Sequence, residues 1–93
     1  MKVKFLNEVR RIAGTSTIDV DADRVDELLM QLVKRFGPKF RKLLFRGMSF
    51  KKDDINILVN GRAIEFQKGL AAPLDVQDEV TIYQHGARGF PGG

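Results

Sequence analysis

The stretch VDELLMQLVKRFGP, residues 25–38, decides the fold. Its apolar residues Val25, Leu28, Leu29, Leu32, Val33 and Phe36 fall at i, i+3, i+4, i+7, i+8 and i+11, the spacing that lines one face of an α-helix. Asp23 stands where an N-cap is expected. Asp26 and Glu27 follow in the first turn, where the helix dipole favours anions. Gly37-Pro38 ends the helix with a glycine and then a residue that cannot continue it. Such a stripe must be covered, and in a chain of 93 residues one face of a sheet is the only partner large enough.

Strands for that sheet lie on both sides of the helix. Upstream, residues 2–6 (KVKFL) alternate, with Val3 and Phe5 on one face, and residues 15–20 (TSTIDV) are rich in β-branched side chains. These two form an antiparallel hairpin with a long connection, in which residues 7–13 read as a short helical turn or a loop closed by Gly14. Downstream, residues 39–46 (KFRKLLFR) predict a short second helix with Phe40, Leu43 and Leu44 inward, and residues 47–54 a loop. Residues 55–59 (INILV) predict a buried strand, and Asn60-Gly61 is a strong hairpin turn signal. Residues 63–66 (AIEF) return as a short strand, residues 69–73 are irregular, and residues 79–84 (EVTIYQ) alternate as a last strand. The order β-β-α, short helix, β-β-β predicts an α+β, β-grasp (ubiquitin-like) domain over residues 1–84, a mixed sheet packed on one main helix. Residues 85–93 follow as a flexible C-terminal tail.

Composition removes several function classes. Hydrophobic residues are 43% and charged residues 30% of the chain, as in an ordinary soluble protein. Charges interrupt the apolar residues of the N-terminal segment, so no signal peptide or membrane span is expected and the reading is cytoplasmic. With no cysteine, disulfides, thiolate metal sites, iron–sulfur clusters and cysteine nucleophiles are out. His85 is the single histidine, so no multi-histidine metal site forms, and nothing near it in sequence would orient it as a catalytic base. No cofactor is expected on this chain. The formal charge of +4 is uneven: from Lys34 to Lys52 there are eight basic residues and no acidic one, while Asp19, Asp21, Asp23, Asp26 and Glu27 cluster elsewhere. A solvated face and a docking patch for an acidic partner both fit the basic run. Nucleic acid is disfavoured, because aromatic residues suited to stacking are not evidently interleaved with the charges on an exposed surface.

The last nine residues, HGARGFPGG, contain four glycines and no apolar period, which predicts a mobile extension. Nine residue steps at full extension reach roughly 30 Å, enough to enter a cleft while the body docks outside it. Gly92 and Gly93 lack Cβ atoms and can thread a slot too narrow for other residues. The carboxylate of Gly93 is then the group offered. Ionised, it is a poor acyl donor until activated, and adenylation by ATP would supply a good leaving group. The ATP and magnesium sites belong to a partner, because this chain has no phosphate-binding Gly-x-x-x-x-Gly-Lys-Ser/Thr loop.

With these features the chain resembles the ubiquitin-like sulfur carriers: MoaD, the small subunit of molybdopterin synthase, its relative ThiS, and the ubiquitin-related modifiers. The resemblance covers nearly the whole chain. It is carried by Ile57-Leu58-Val59-Asn60-Gly61, by Leu74-x-x-x-Asp78-Glu79-Val80-x-Ile82, and by Gly92-Gly93. It implies that Gly93 is adenylated by a ubiquitin-activating-type enzyme and converted to a thiocarboxylate. That thiocarboxylate would donate sulfur to the dithiolene of molybdopterin while the tail sits in the large synthase subunit. Archaeal relatives are also joined to lysines of other proteins. On this reading Arg88, Phe90, Pro91 and Gly92 are the partner-binding residues of the tail, although only Phe90-Pro91 and the glycines echo the family's usual ending. Asp78 and Glu79 read as a structural turn. Two other uses remain open from sequence: a protein modifier joined through Gly93 to lysines, and a non-catalytic β-grasp binding module.

Overall fold

In the computed structural model, which describes residues 1–85, the alternation at the N-terminus becomes strand β1 (Lys2–Phe5) with Val3 and Phe5 buried. The segment left between turn and loop is helix α1 (Asn7–Ala13), which buries Val9 and ends at Gly14 in left-handed backbone, φ 78°. The chain returns as β2 (Thr17–Asp19), antiparallel to β1. This strand is shorter than the expected 15–20. Ser16 and Val20 still trade backbone bonds with Phe5 and Met1, but Thr15 folds back so that its Oγ1 donates to the Thr17 carbonyl at 3.2 Å.

Helix α2 (Val25–Phe36) buries Val25, Leu28, Leu29 and Leu32, the stripe read from the sequence. Its N-cap is Arg24 and not Asp23, and no side chain caps it. The cause is tertiary: residues 72–74 run alongside, so the Ala72 carbonyl accepts from the Val25 N–H at 3.1 Å and the Leu74 N–H donates to the Asp23 carbonyl at 2.9 Å. The Glu27 carboxylate instead accepts from the Asp23 N–H at 2.7 Å. A distant backbone group takes the place of the local cap.

Gly37 leads directly into α3 (Pro38–Leu44), with proline in the first turn and Phe40 and Leu44 buried. Leu43, expected inward, is half-buried. The helix stops at Leu44, two residues short of expectation: Phe45–Arg46 form β3, which pairs around Gly47-Met48 with β4 (Ser49–Phe50) inside the expected loop. Strand β5 (Ile55–Val59) and the turn at Asn60 (φ 55°) and Gly61 (φ 83°) follow the expectation, both residues in left-handed backbone as a tight hairpin demands. The return strand β6 is only Arg62–Ala63. Residues 64–66 leave the sheet as a 3₁₀ turn that lowers Ile64 into the core, and a second turn at Gly69–Ala71 precedes Pro73, which bridges Arg24.

Strand β7 (Glu79–Gln84) closes the sheet in the order β2-β1-β7-β5-β6, with β1 and β7 parallel at its centre and the other pairs antiparallel. Val3, Phe5, Ile55, Ile57, Val59, Val80 and Ile82 form one buried cluster with the α2 stripe, Val9 of α1, and Phe40 and Leu44 of α3. This is a β-grasp fold in which two short helices extend the layer built on α2. Phe5, Phe36 and Phe40 join strand to helices, their ring centroids 5.0–6.0 Å apart. Each such side chain contributes about 1.5–3 kcal/mol when fully buried. Among the described residues, no helix is long and apolar enough to cross a membrane.

Candidate functional site

The expected site residues Arg88, Phe90, Pro91, Gly92 and Gly93 lie outside the described residues, as does the expectation that the segment is mobile. What the structure places is the root from which that segment leaves. Strand β7 delivers the root, and three backbone-directed bonds hold its end. The Leu6 N–H donates to the Ile82 carbonyl at 3.1 Å, and Asn7 Nδ2 donates to the Gln84 carbonyl at 3.1 Å. The His85 N–H donates to the Asp54 carbonyl at 2.8 Å, so bonding to the body extends through residue 85.

Asn7 can reach Gln84 because of where the chain bends. β1 ends at Phe5 while its parallel neighbour β7 runs on to Gln84, leaving a strand edge to be satisfied. Asn7 sits at φ 55°, a conformation asparagine tolerates better than most residues, and this lets α1 begin beside the strand end. Sequence reasoning missed Asn7 and Asp54. An asparagine directly after a strand was the available signal for the first. The second acts through its backbone and had none.

Beside the root, Asn56 Nδ2 donates to the Tyr83 hydroxyl at 2.7 Å, and the Tyr83 and His85 rings meet edge to face with centroids 6.3 Å apart. Tyr83 and Asn56 are register partners on the sheet face away from the helices, with Leu58, Thr81 and Lys4 along the same surface. On α1, Glu8 pairs with Arg11, which holds the Glu8 carboxyl below its ordinary range by hydrogen bonding and charge. Among the described residues, no group of three or more His, Cys, Asp or Glu stands together to hold a metal. A mostly apolar cavity of about 240 Å³ opens between β5 and the 3₁₀ turns, lined by Phe50, Ile55, Asn56, Ile57, Ile64 and Leu70 among others. The root carries hydrogen bonds that fix the end of β7.

Residues 3–85 match the sequence model of the ThiS family. The fold is similar to that of small archaeal modifier protein 1 from Methanosarcina acetivorans, 27% identical, with 89% of each chain covered and a TM-score of 0.78. It is similar to the modifier protein of the same name from Haloferax volcanii, 28% identical over 100% of this chain and 98% of that one, with a TM-score of 0.76. It is also similar to a putative molybdopterin converting factor, subunit 1, from Pyrococcus furiosus, 29% identical over 89% of this chain and 93% of that one, with a TM-score of 0.66. No curated protein matches the chain.

Proposed function

The chain belongs to the ThiS family, and from that membership we propose that it is a ubiquitin-like sulfur carrier acting through the carboxylate of Gly93. The family match over residues 3–85 carries the reading. Two further observations support it. The root at Gln84 and His85 is fixed by bonds from Asn7 and Asp54, so the following residues start from a defined point. The Haloferax volcanii relative, a modifier protein by its name, is nearly coextensive with this chain.

The chemistry follows from the group available. A carboxylate oxygen of Gly93 attacks the α-phosphate of ATP on an adenylating partner, releasing pyrophosphate and leaving an acyl-adenylate. Hydrosulfide supplied by that system attacks the glycyl carbonyl, a C–S bond replaces the C–O bond to phosphate, AMP departs and the sulfur's proton is lost to solvent. The resulting thiocarboxylate is the sulfur donor. Its acceptor is the dithiolene precursor of molybdopterin, bound on a larger synthase subunit; the name of the Pyrococcus furiosus relative favours this acceptor. Arg88, Phe90 and Pro91 contact the partners' clefts, and Gly92 passes the narrowest part. Magnesium and ATP reside on the adenylating enzyme.

The names of the two archaeal modifier proteins favour a second use of the same activated carbonyl, in which a lysine amine displaces AMP and leaves an amide. One experiment separates the two. The chain is incubated with an adenylating enzyme, ATP and a sulfur source, and its intact mass is read. Exchange of one oxygen for sulfur is the expected result. Lysine conjugates with no such exchange favour the modifier. If neither product forms and removal of Gly93 leaves every partner bound as before, neither use runs through the terminus and the binding-module reading takes their place.

A further inference from the structure

We propose that α3 and the β3–β4 ribbon form a second docking surface, built to grip an acidic, apolar-socketed surface of another protein. The surface is independent of the chemistry at Gly93. Lys39, Arg41, Lys42, Arg46, Lys51 and Lys52 come from this one stretch, and no acidic residue interrupts them. Five are exposed and Lys51 is half-buried. Among the described residues, the ion pairs join Met1 to Asp21, Arg11 to Glu8 and Arg24 to Asp26, so none of the six cations is neutralised within the body. Asp53 and Asp54 are the carboxylates that border the surface, sharing a shallow depression with Arg46, Ser49, Lys51 and Lys52.

Charge alone would leave a solvated face as good a reading. Met48 changes the balance. It lies at the tip of the ribbon, 91% exposed, and the ribbon that presents it is braced. Arg41 Nη2 donates to the Gly47 carbonyl at 3.2 Å while its guanidinium lies 6.0 Å from the Phe45 ring centre. Phe45 and Phe50 meet edge to face at 6.0 Å and pack against the core. A large apolar side chain held out on a braced tip, with Arg41 bonded to the neighbouring Gly47 and Arg46 at the end of the adjoining strand, has the form of an anchor with a polar rim. Nucleic acid fits less well, because the aromatic rings of the ribbon are packed inward and offer no stacking platform. The surface also reaches the root of the C-terminal segment, since Asp54 holds the His85 N–H. A partner seated here lies beside that root.

The test uses the full chain, isotope-labelled, with an Asp- and Glu-rich peptide carrying one central leucine as the probe. Binding should shift the amide signals of α3 and residues 45–52. Raising ionic strength from about 0.01 to about 0.15 M, which shortens the screening length from roughly 30 to 8 Å, should weaken it about tenfold or more. Arg46→Glu and Lys42→Glu should each weaken it about tenfold, and Met48→Ala about threefold to tenfold. Lys2→Glu makes the same charge change on β1, away from this surface, and should cost much less. Both glutamate substitutions near the ribbon are at exposed positions, so an unchanged amide spectrum elsewhere confirms folding. Equal weakening by Lys2→Glu would reduce the effect to net charge and overturn the proposal. So would absence of shifts at the ribbon, tighter binding of a single-stranded oligonucleotide of equal charge at these residues, or self-association of the chain through them in sedimentation.

Discussion

Asn60 holds three connections at one turn. Its Nδ2 donates to Asp78 Oδ1 at 2.9 Å, its Oδ1 accepts from the Glu79 N–H at 2.9 Å, and its own N–H donates to the Glu79 carbonyl at 2.8 Å. All this happens at φ 55°, where alanine is strained. Asn60→Gly keeps the backbone and loses the two side-chain bonds, so a loss of about 1–2 kcal/mol is expected in urea unfolding. Asn60→Ala should cost about 1 kcal/mol more, because strain is added to the same loss. Equal values for the two would mean that the backbone angle carries no penalty. The turn was legible in the sequence because Asn-Gly chemistry is local. Asp78, eighteen residues away, was legible only as a turn residue, and the Asp23 cap was misread because its substitute comes from Ala72. Charge pairs at this scale are small. The Asp26 carboxyl is held below its usual range mainly by the Arg24 hydrogen bond, and Glu8 by Arg11. A lowered folded pKa means stabilisation that is whole above about pH 4–5 and lost as pH falls through the lowered value. Both pairs are exposed and screened, so removing them with Arg24→Ala and Arg11→Ala should barely move the neutral-pH midpoint but flatten its fall in acid. A pH series of unfolding midpoints checks this.

Elements behaved according to how much periodicity they could carry. Twelve residues of α2 and six of β7 write their faces plainly, and each was readable. A two-residue strand carries no period at all, which is why β3 was hidden at the end of an expected helix and β4 inside an expected loop. For β6 the alternation was present but misleading, since Ile64 gains more by dropping into the core than by continuing an edge. The helix layer ties these pieces together through Phe40, buried against Phe5 and Phe36. Phe40→Ala should destabilise by about 3–5 kcal/mol, and Phe40→Leu by distinctly less, as read by chemical denaturation. At the other end of the sheet the parallel offset of β1 and β7 makes Asn7 the clamp on Gln84. Asn7→Gly removes that bond while accepting the backbone angle. It should speed hydrogen exchange at the His85 amide while leaving amides in the middle of β5 protected. Loss of protection throughout the sheet would instead make Asn7 a general stability residue.

For the whole molecule, the arrangement that matters is that its two central strands come from opposite ends of the chain. β1 begins at Lys2 and β7 ends at Gln84, side by side, so the sheet cannot close until both ends are present. No local sequence signal announces such a pairing; it follows from the need to cover one helix with strands drawn from both flanks. Every buried core residue found among the described residues lies between Met1 and Ile82. Folding and the proposed chemistry are therefore assigned to different parts of the chain, and a truncation can pull them apart. A chain ending at His85 should unfold cooperatively with a stability within about 0.5 kcal/mol of the full-length value, since it keeps every core residue found among the described ones. It should at the same time form no thiocarboxylate and no lysine conjugate. A drop of more than about 2 kcal/mol would mean that residues 86–93 pack on the body, and the arm would then have to be released before any partner could adenylate it. Unchanged stability with retained product formation would place the reactive group elsewhere. Only the combination of an intact fold and lost chemistry agrees with a body that serves to dock and aim, and a chain end that reacts.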